Sequence, residues 1–175
     1  MPNGFIGKIK RIFFLSIISY KMATYSHYQP KKLDDCITPL FVWEEIQPFI
    51  PDDKEIWCPF YFNGDHTLRQ LGYDIIHNDE DFFNNNRGDI VVDNPPFSIK
   101  RKVVERLLEL DKPFILIMPV STLCYNYMRE YKNQIQIIIP RRRINFAPEL
   151  KSSASFDCLY YCYKMDLESD INWVN

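Results

Sequence analysis

Between residues 38 and 163, short apolar runs alternate with stretches of helical spacing. Leu40, Val42, Trp43, Ile46 and Phe49 fall at intervals that predict a helix. Thr38 is its expected cap, and Pro39 suits the first helical position, where the backbone N–H lacks a partner in any case. Pro48 and Pro51 are expected to end it. Residues 55–60 read as a strand stopped by Pro59, and a short helix is predicted over 66–71, broken by Gly72. A second strand follows over 73–76. Residues 79–86 are acidic and amide-rich, hence a loop, with Phe82 and Phe83 embedded in it. The runs at 90–92 and 114–118 are apolar without interruption, as strands buried on both faces are. Val103, Val104, Leu107 and Leu108 predict a helix over 100–110 between them. A further helix is predicted over 120–131, then strands over 135–139 and 155–163. Strands alternating with helices of this length give an α/β fold, a single doubly wound, mostly parallel sheet. Ligands of such sheets sit beyond the carboxyl ends of the strands, so the residues just after each strand are the chemical candidates.

One of those places carries an unusual string. After the 90–92 strand comes Asp93-Asn94-Pro95-Pro96-Phe97-Ser98. An exocyclic amine on a purine ring is a poor nucleophile because its lone pair is delocalised into the ring. A side-chain amide oxygen and a backbone carbonyl can accept hydrogen bonds from its NH2 group and draw the nitrogen toward a tetrahedral, nucleophilic geometry. Asn94 supplies the first acceptor and the Pro95 carbonyl the second. Pro96 completes the rigid pair of rings, and Phe97 offers a flat face for a stacked base. No strong general base is required, since the proton can leave after the nitrogen has become cationic.

In this string the chain resembles the amino-group methyltransferases that use S-adenosyl-L-methionine, notably the N6-adenine type, whose Asn-Pro-Pro-aromatic motif follows the fourth strand of the sheet. The resemblance runs from about Thr38 to Tyr163 and looks closest to small methyltransferase-like proteins of phages and large DNA viruses. It implies a Rossmann-like methyltransferase fold and further roles. Thr38 and Pro39 resemble the short motif that meets the methionine end of the cofactor. The stretch from Trp57 through Phe60 to Gly64 occupies the place of the cofactor loop. Asp79 is placed to meet the ribose hydroxyls, and Asp81 with Phe82 to bracket the cofactor's adenine. The family usually has an acidic residue before the loop proline and two glycines after it, whereas here Cys58 precedes Pro59 and Gly64 stands alone.

Composition narrows the alternatives. The chain of 175 residues has 21 Lys plus Arg against 23 Asp plus Glu, a formal net charge of -2, which excludes a wholly basic nucleic-acid coat. Local clusters remain: Lys100-Arg101-Lys102 opens the helix after the motif, and Arg141, Arg142 and Arg143 follow a strand. Both are candidates to meet nucleic-acid phosphates, with Lys100 nearest the motif. Ile144-Asn145-Phe146 is a candidate wall for the base pocket. Five scattered cysteines without a CxxC, and three histidines far from any cysteine pair, give no zinc or disulfide pattern. Reduced thiols in a cytoplasmic protein, viral or not, are expected. Lys8, Lys10 and Arg11 precede a short apolar run that is too short to span a bilayer. Residues 1–21 read as an upstream extension of the frame, or as an amphipathic segment at a membrane surface, ahead of a domain spanning 22–175.

The favoured substrate is adenine in DNA. The same string also serves amines in RNA or on a protein glutamine, and a catalytically silent nucleic-acid-binding relative is the remaining alternative. About thirty residues separate Gly64 from Asn94 and about a dozen follow Tyr163. Neither gap holds a recognition domain, so sequence specificity is expected from short loops, from a partner subunit, or not at all.

Overall fold

The computed structural model describes residues 38–60, 67–77, 81–146 and 157–175; the sequence reading of residues 1–21 lies outside them. The described strands are β1 (Ile56–Trp57), β2 (Ile75–Ile76), β3 (Ile90–Asp93), β4 (Phe114–Pro119), β5 (Ile135–Ile139), β6 (Cys158–Tyr163) and β7 (Ile171–Trp173). They form one seven-stranded sheet in the order β2-β1-β3-β4-β6-β5-β7. β1 pairs in parallel with β2 and β3, β3 with β4, and β5 with β7, whereas β6 runs antiparallel to both β4 and β5. The helices are α1 (Leu40–Glu44), α2 (Thr67–Gln70), α3 (Lys100–Glu109) and α4 (Asn126–Arg129).

Both faces of the sheet are covered, and β4 shows how. All six of its residues are buried. Ile115 and Ile117 join Val42 and Trp43 of α1, Ile46 just after it and Leu68 of α2 on one face. Phe114, Leu116 and Met118 join Val103, Val104 and Leu107 of α3 and Met128 of α4 on the other. Successive side chains of a strand point to opposite faces, so a strand between two helical layers has to be apolar throughout. Burying each such side chain contributes roughly 1.5–3 kcal/mol.

The expected elements are present with shifted bounds. The 38–49 helix is cut to α1 followed by a 3-10 turn, Gln47–Phe49, with Pro48 at its start. The cap of α1 is Pro39, and Thr38 makes no capping bond. Its side chain is committed elsewhere. The 120–131 helix is split into a 3-10 turn, Val120–Cys124, and α4, because Tyr125 takes an extended conformation (φ −76°, ψ 142°) between them. β7, which the sequence reading left out, has only three residues, and its Ile171 and Trp173 are exposed. A short, half-polar edge strand leaves no apolar run to notice.

At the amino ends of β1 and β3 the backbone is closed by its own groups. Asp89 N–H donates to the Glu55 carbonyl (2.8 Å), and Glu55 N–H donates back to Asp89 Oδ2 (3.0 Å). Gly88 sits beneath this pair with φ +57°, and a Cβ there would meet the Glu55 carbonyl oxygen at 2.7 Å. Lys112, only 7% exposed, donates its Nζ proton to the Gly88 carbonyl. Burial lowers the Lys112 pKa, against the opposing pull of Asp89 and Glu55.

Candidate active site

The carboxyl end of β3 is built around Asp93. It is 2% exposed. Its Oδ2 accepts the Phe60 N–H (2.7 Å) and its Oδ1 accepts the Asn94 N–H (2.7 Å). A buried carboxylate must find donors, and these two fasten the segment after β1 to the turn after β3. Sequence reasoning quoted Asp93 as part of the string but gave it no role. An acid that closes a strand of apolar residues was the available signal.

Asn94 follows at once, and its amide is oriented. Nδ2 donates to Thr38 Oγ1 (3.0 Å), a bond across 56 positions of sequence, and Thr67 Oγ1 donates to the Thr38 carbonyl (3.2 Å). Asn94 Oδ1 is buried and has no hydrogen-bond partner. Leaving an acceptor dry and unpaired costs about 1–3 kcal/mol, so the site holds ready a bond that only an incoming N–H or O–H donor completes. Beyond it, Pro95 is buried and its carbonyl makes no hydrogen bond among the described residues, while the Pro96 carbonyl accepts the Ile99 N–H (3.1 Å). Phe97 packs on the α1 face of the sheet, 6.2 Å from Phe146 and nearly perpendicular to it at 77°. Phe146 and Ile144 are buried, so the chain after β5 does come back to flank the motif.

The segment after β1 supplies a second wall. The Phe82 ring, 4% exposed, lies 4.7 Å from Phe60 and 5.4 Å from Trp57. Asp81 caps the 3-10 turn Phe82–Asn84, accepting the Phe83 N–H (3.0 Å) and the Asn84 side-chain amide (2.5 Å). Cys58 is a core residue: its Sγ–H donates to the Val92 carbonyl (3.2 Å), and burial, with the nearby Asp93 charge, pushes its thiol pKa well up. A neutral thiol thus stands where the resemblance has an acid. Gly64 and Asp79, the remaining expected cofactor contacts, lie outside the described residues.

The basic residues separate into two places. Arg142 stacks on Phe41 (3.9 Å to the ring centroid), Arg143 pairs with Asp157 (2.7 Å), and the Arg141 N–H donates to Glu45 Oε2 (3.3 Å). Arg141 and Arg142 thus lie beside α1, Arg143 lies at the start of β6, and all three are exposed. Lys100 instead belongs to the motif itself, donating its Nζ proton to the Phe97 carbonyl (3.0 Å). α1 is in turn held by β6, since the buried Tyr160 hydroxyl lies 2.6 Å from both the Val42 carbonyl and Glu45 Oε1. Burial raises the Tyr160 pKa, and the Glu45 carboxylate adds to the rise. Among the described residues no group of three or more His, Cys, Asp or Glu is placed to hold a metal, and no helix is long and apolar enough to cross a membrane.

Known proteins resemble this part of the chain. Residues 63–145 match the family model of the adenine-specific methyltransferase EcoRI. The Type II methyltransferase M.EcoRI of Escherichia coli is 40% identical over 50 residues, which is 26% of this chain and 15% of that protein. The chain therefore matches only a small share of the relative's length. No solved structure matches it. The matched stretch contains β3 and the loop after it, so the similarity to adenine-specific methyltransferases falls on the candidate site.

Proposed function

We propose that the protein transfers a methyl group from S-adenosyl-L-methionine to the exocyclic amine of adenine in DNA. The observation that carries this reading is the Asn94 amide, turned by Thr38 so that Oδ1 is buried and without a partner. An amine entering there donates one N–H to Asn94 Oδ1 and the other to the Pro95 carbonyl. Both bonds strengthen as the nitrogen gains positive charge, so they favour the transition state over the ground state. Phe97 offers the ring against which the purine stacks, with Phe146 braced edge-on behind it.

The residues present fit the cofactor's chemistry. Asp93 is spent on two backbone N–H groups and Cys58 is held as a neutral thiol, so the site accepts hydrogen bonds rather than attacking carbon itself. S-adenosyl-L-methionine, when bound, supplies a methyl group already activated on a sulfonium. Phe60 and Phe82 would form its apolar wall, Asp81 and Asp79 its polar rim, Thr38 and Pro39 its boundary with Asn94, and Gly64 the close turn. Asn94 Oδ1 and the Pro95 carbonyl would hold the amine nitrogen toward that methyl group as it becomes cationic. The cationic amine then releases its proton to solvent. Arg141, Arg142, Arg143 and Lys100 face phosphate in this reading.

A second reading rests on Cys58. A neutral thiol at the position of the family's acid, with the single Gly64, favours a nucleic-acid-binding relative without transferase activity. Calorimetry with S-adenosyl-L-methionine, followed by labelled-methyl transfer to DNA, RNA and protein, decides between them. The proposal expects saturable cofactor binding and label in DNA at adenine N6. Cofactor binding with label in RNA or protein would move the substrate, and no binding at millimolar cofactor by the folded protein would favour the silent relative.

A further inference from the structure

A shallow groove of about 390 Å³ opens immediately beyond the motif, lined by Ser98, Lys100, Arg101, Tyr125, Asn126 and Tyr127. It lies against the α3 face of the sheet, whereas Phe97 packs on the α1 face, so it is separate from the pocket of the target base. The groove is built on fixed backbone. The Tyr161 hydroxyl donates to the Pro119 carbonyl (2.8 Å), and Val120 N–H donates to the Asp157 carbonyl (2.8 Å). Met128, 4% exposed, anchors the far side. On this footing the break at Tyr125 turns its ring outward, 42% exposed, beside Leu123 at 42% and Val120 at 39%.

Three exposed large apolar side chains within six residues, at the carboxyl end of a central strand, are poorly explained as solvated surface. Beside them stand one more ring and two cations. Tyr125 stacks on Tyr127 with centroids 5.9 Å apart and planes at 25°. Lys100 Nζ lies 5.3 Å from the Tyr125 centroid, and the Arg101 guanidinium 5.5 Å from that of Tyr127. Because Lys100 also holds the Phe97 carbonyl, one positive charge stands between the motif loop and the Tyr125 ring. Aromatic faces interleaved with cations are the pattern that takes unpaired nucleotides: rings stack bases of any sequence, and cations meet the connecting phosphates.

Building on the proposed function, we infer that this groove is a subsite for the nucleotide next to the target adenine in single-stranded or locally opened DNA. The neighbouring base stacks on Tyr125, and the phosphate that joins it to the target lies between Lys100 and Arg101. Arg101 retains donors for this task, because its bond to Glu105 uses only Nε (2.8 Å). The subsite offers a place to hold the strand once the target leaves the stack.

The test compares wild type with Tyr125→Ala, Tyr125→Phe and Arg101→Ala. Fluorescence anisotropy reads the binding of a labelled single-stranded oligodeoxynucleotide with one adenine, and calorimetry reads S-adenosyl-L-methionine on the same samples. Tyr125→Ala is expected to weaken oligonucleotide binding by about tenfold to a hundredfold, the size of one lost base stack. Tyr125→Phe should bind as wild type does, and cofactor affinity should not change in any variant. Arg101→Ala should lower the salt dependence of binding by about one phosphate contact. Wild type that methylates DNA while Tyr125→Ala binds the oligonucleotide unchanged overturns the subsite and leaves the proposed function standing. Oligonucleotide binding that depends on Tyr125 without any methyl transfer to DNA overturns the proposed function and retains the groove as a nucleic-acid grip. Wild type that binds no oligonucleotide overturns the subsite outright.

Discussion

The two ends of β3 make opposite use of the same kinds of group. At its amino end, Asp89, Glu55, Gly88 and Lys112 satisfy one another: carboxylate to backbone, backbone to backbone, ammonium to carbonyl. At its carboxyl end Asp93 is equally well satisfied, but Asn94, one residue further, keeps a buried acceptor unused. Polar groups closed on each other hold a fold together, whereas a group aligned by its neighbours and left open is available to a substrate. Substitutions at the first end should therefore be felt in stability, and at the second in turnover.

The largest effect that can test this contrast is Asn94→Ala. Methyl transfer should fall by about 10²–10³-fold or more, the scale for one oriented hydrogen-bonding group in a transition state. Thermal unfolding should change little, since the loss of the Nδ2 bond to Thr38 is offset by removal of an unsatisfied acceptor. Undiminished transfer in a labelled-methyl assay would remove Asn94 from the chemistry. At the opposite end Gly88→Ala should destabilise the protein by about 2 kcal/mol in urea unfolding, from the left-handed backbone and the collision with the Glu55 carbonyl. Its folded fraction should still bind cofactor. Loss of binding in the folded fraction would show that the two ends are not independent.

Thr38→Val sharpens the comparison. It keeps the shape of a residue 7% exposed but removes the acceptor that orients Asn94. Turnover should drop about tenfold, the equivalent of one ordinary hydrogen bond, and Thr38→Ser should restore it. An equal loss with Ser and Val would assign the effect to packing.

The smallest effect is on pH. The Lys164 ammonium and the Tyr163 hydroxyl bond Asp111 and hold its pKa below the ordinary carboxylate value. Its contribution to stability is therefore complete above the unfolded-state pKa and is lost as pH falls through the depressed folded value. Asp111 has φ +53°, which Asn tolerates, so Asp111→Asn isolates the charge. Melting curves of the two proteins should differ slightly at neutral pH and converge in acid. Both groups are exposed, so a large difference would contradict the assignment.

The sheet was legible wherever strands are apolar throughout. Residues 135–139 matched β5 in full, and 90–92 and 114–118 were recovered to within one residue, because burial on both faces leaves an unmistakable run. What the runs do not encode is direction: nothing in residues 155–163 announces that β6 is antiparallel, a property of how the chain returns rather than of which side chains it buries. The motif was legible because Asn94, Pro95, Pro96 and Phe97 are adjacent in sequence. Its orientation was not, because it depends on Thr38, which looked like a helix cap. The Tyr125 groove was missed for a similar reason, since a break between two short helical pieces has the same apolar spacing as one continuous helix.

The bond from Tyr160 to α1 spans 118 positions, and the Thr38 that turns the Asn94 amide stands just ahead of α1, one residue before its Pro39 cap. Contacts so distant along the chain form late. A nascent chain that has emerged only as far as β5 already holds the whole Asn-Pro-Pro-Phe loop, yet lacks the strand that fixes α1. The Asn94 amide is thus oriented only after β6 has emerged, so a nascent fragment ending at β5 would carry the loop without the support that sets its geometry.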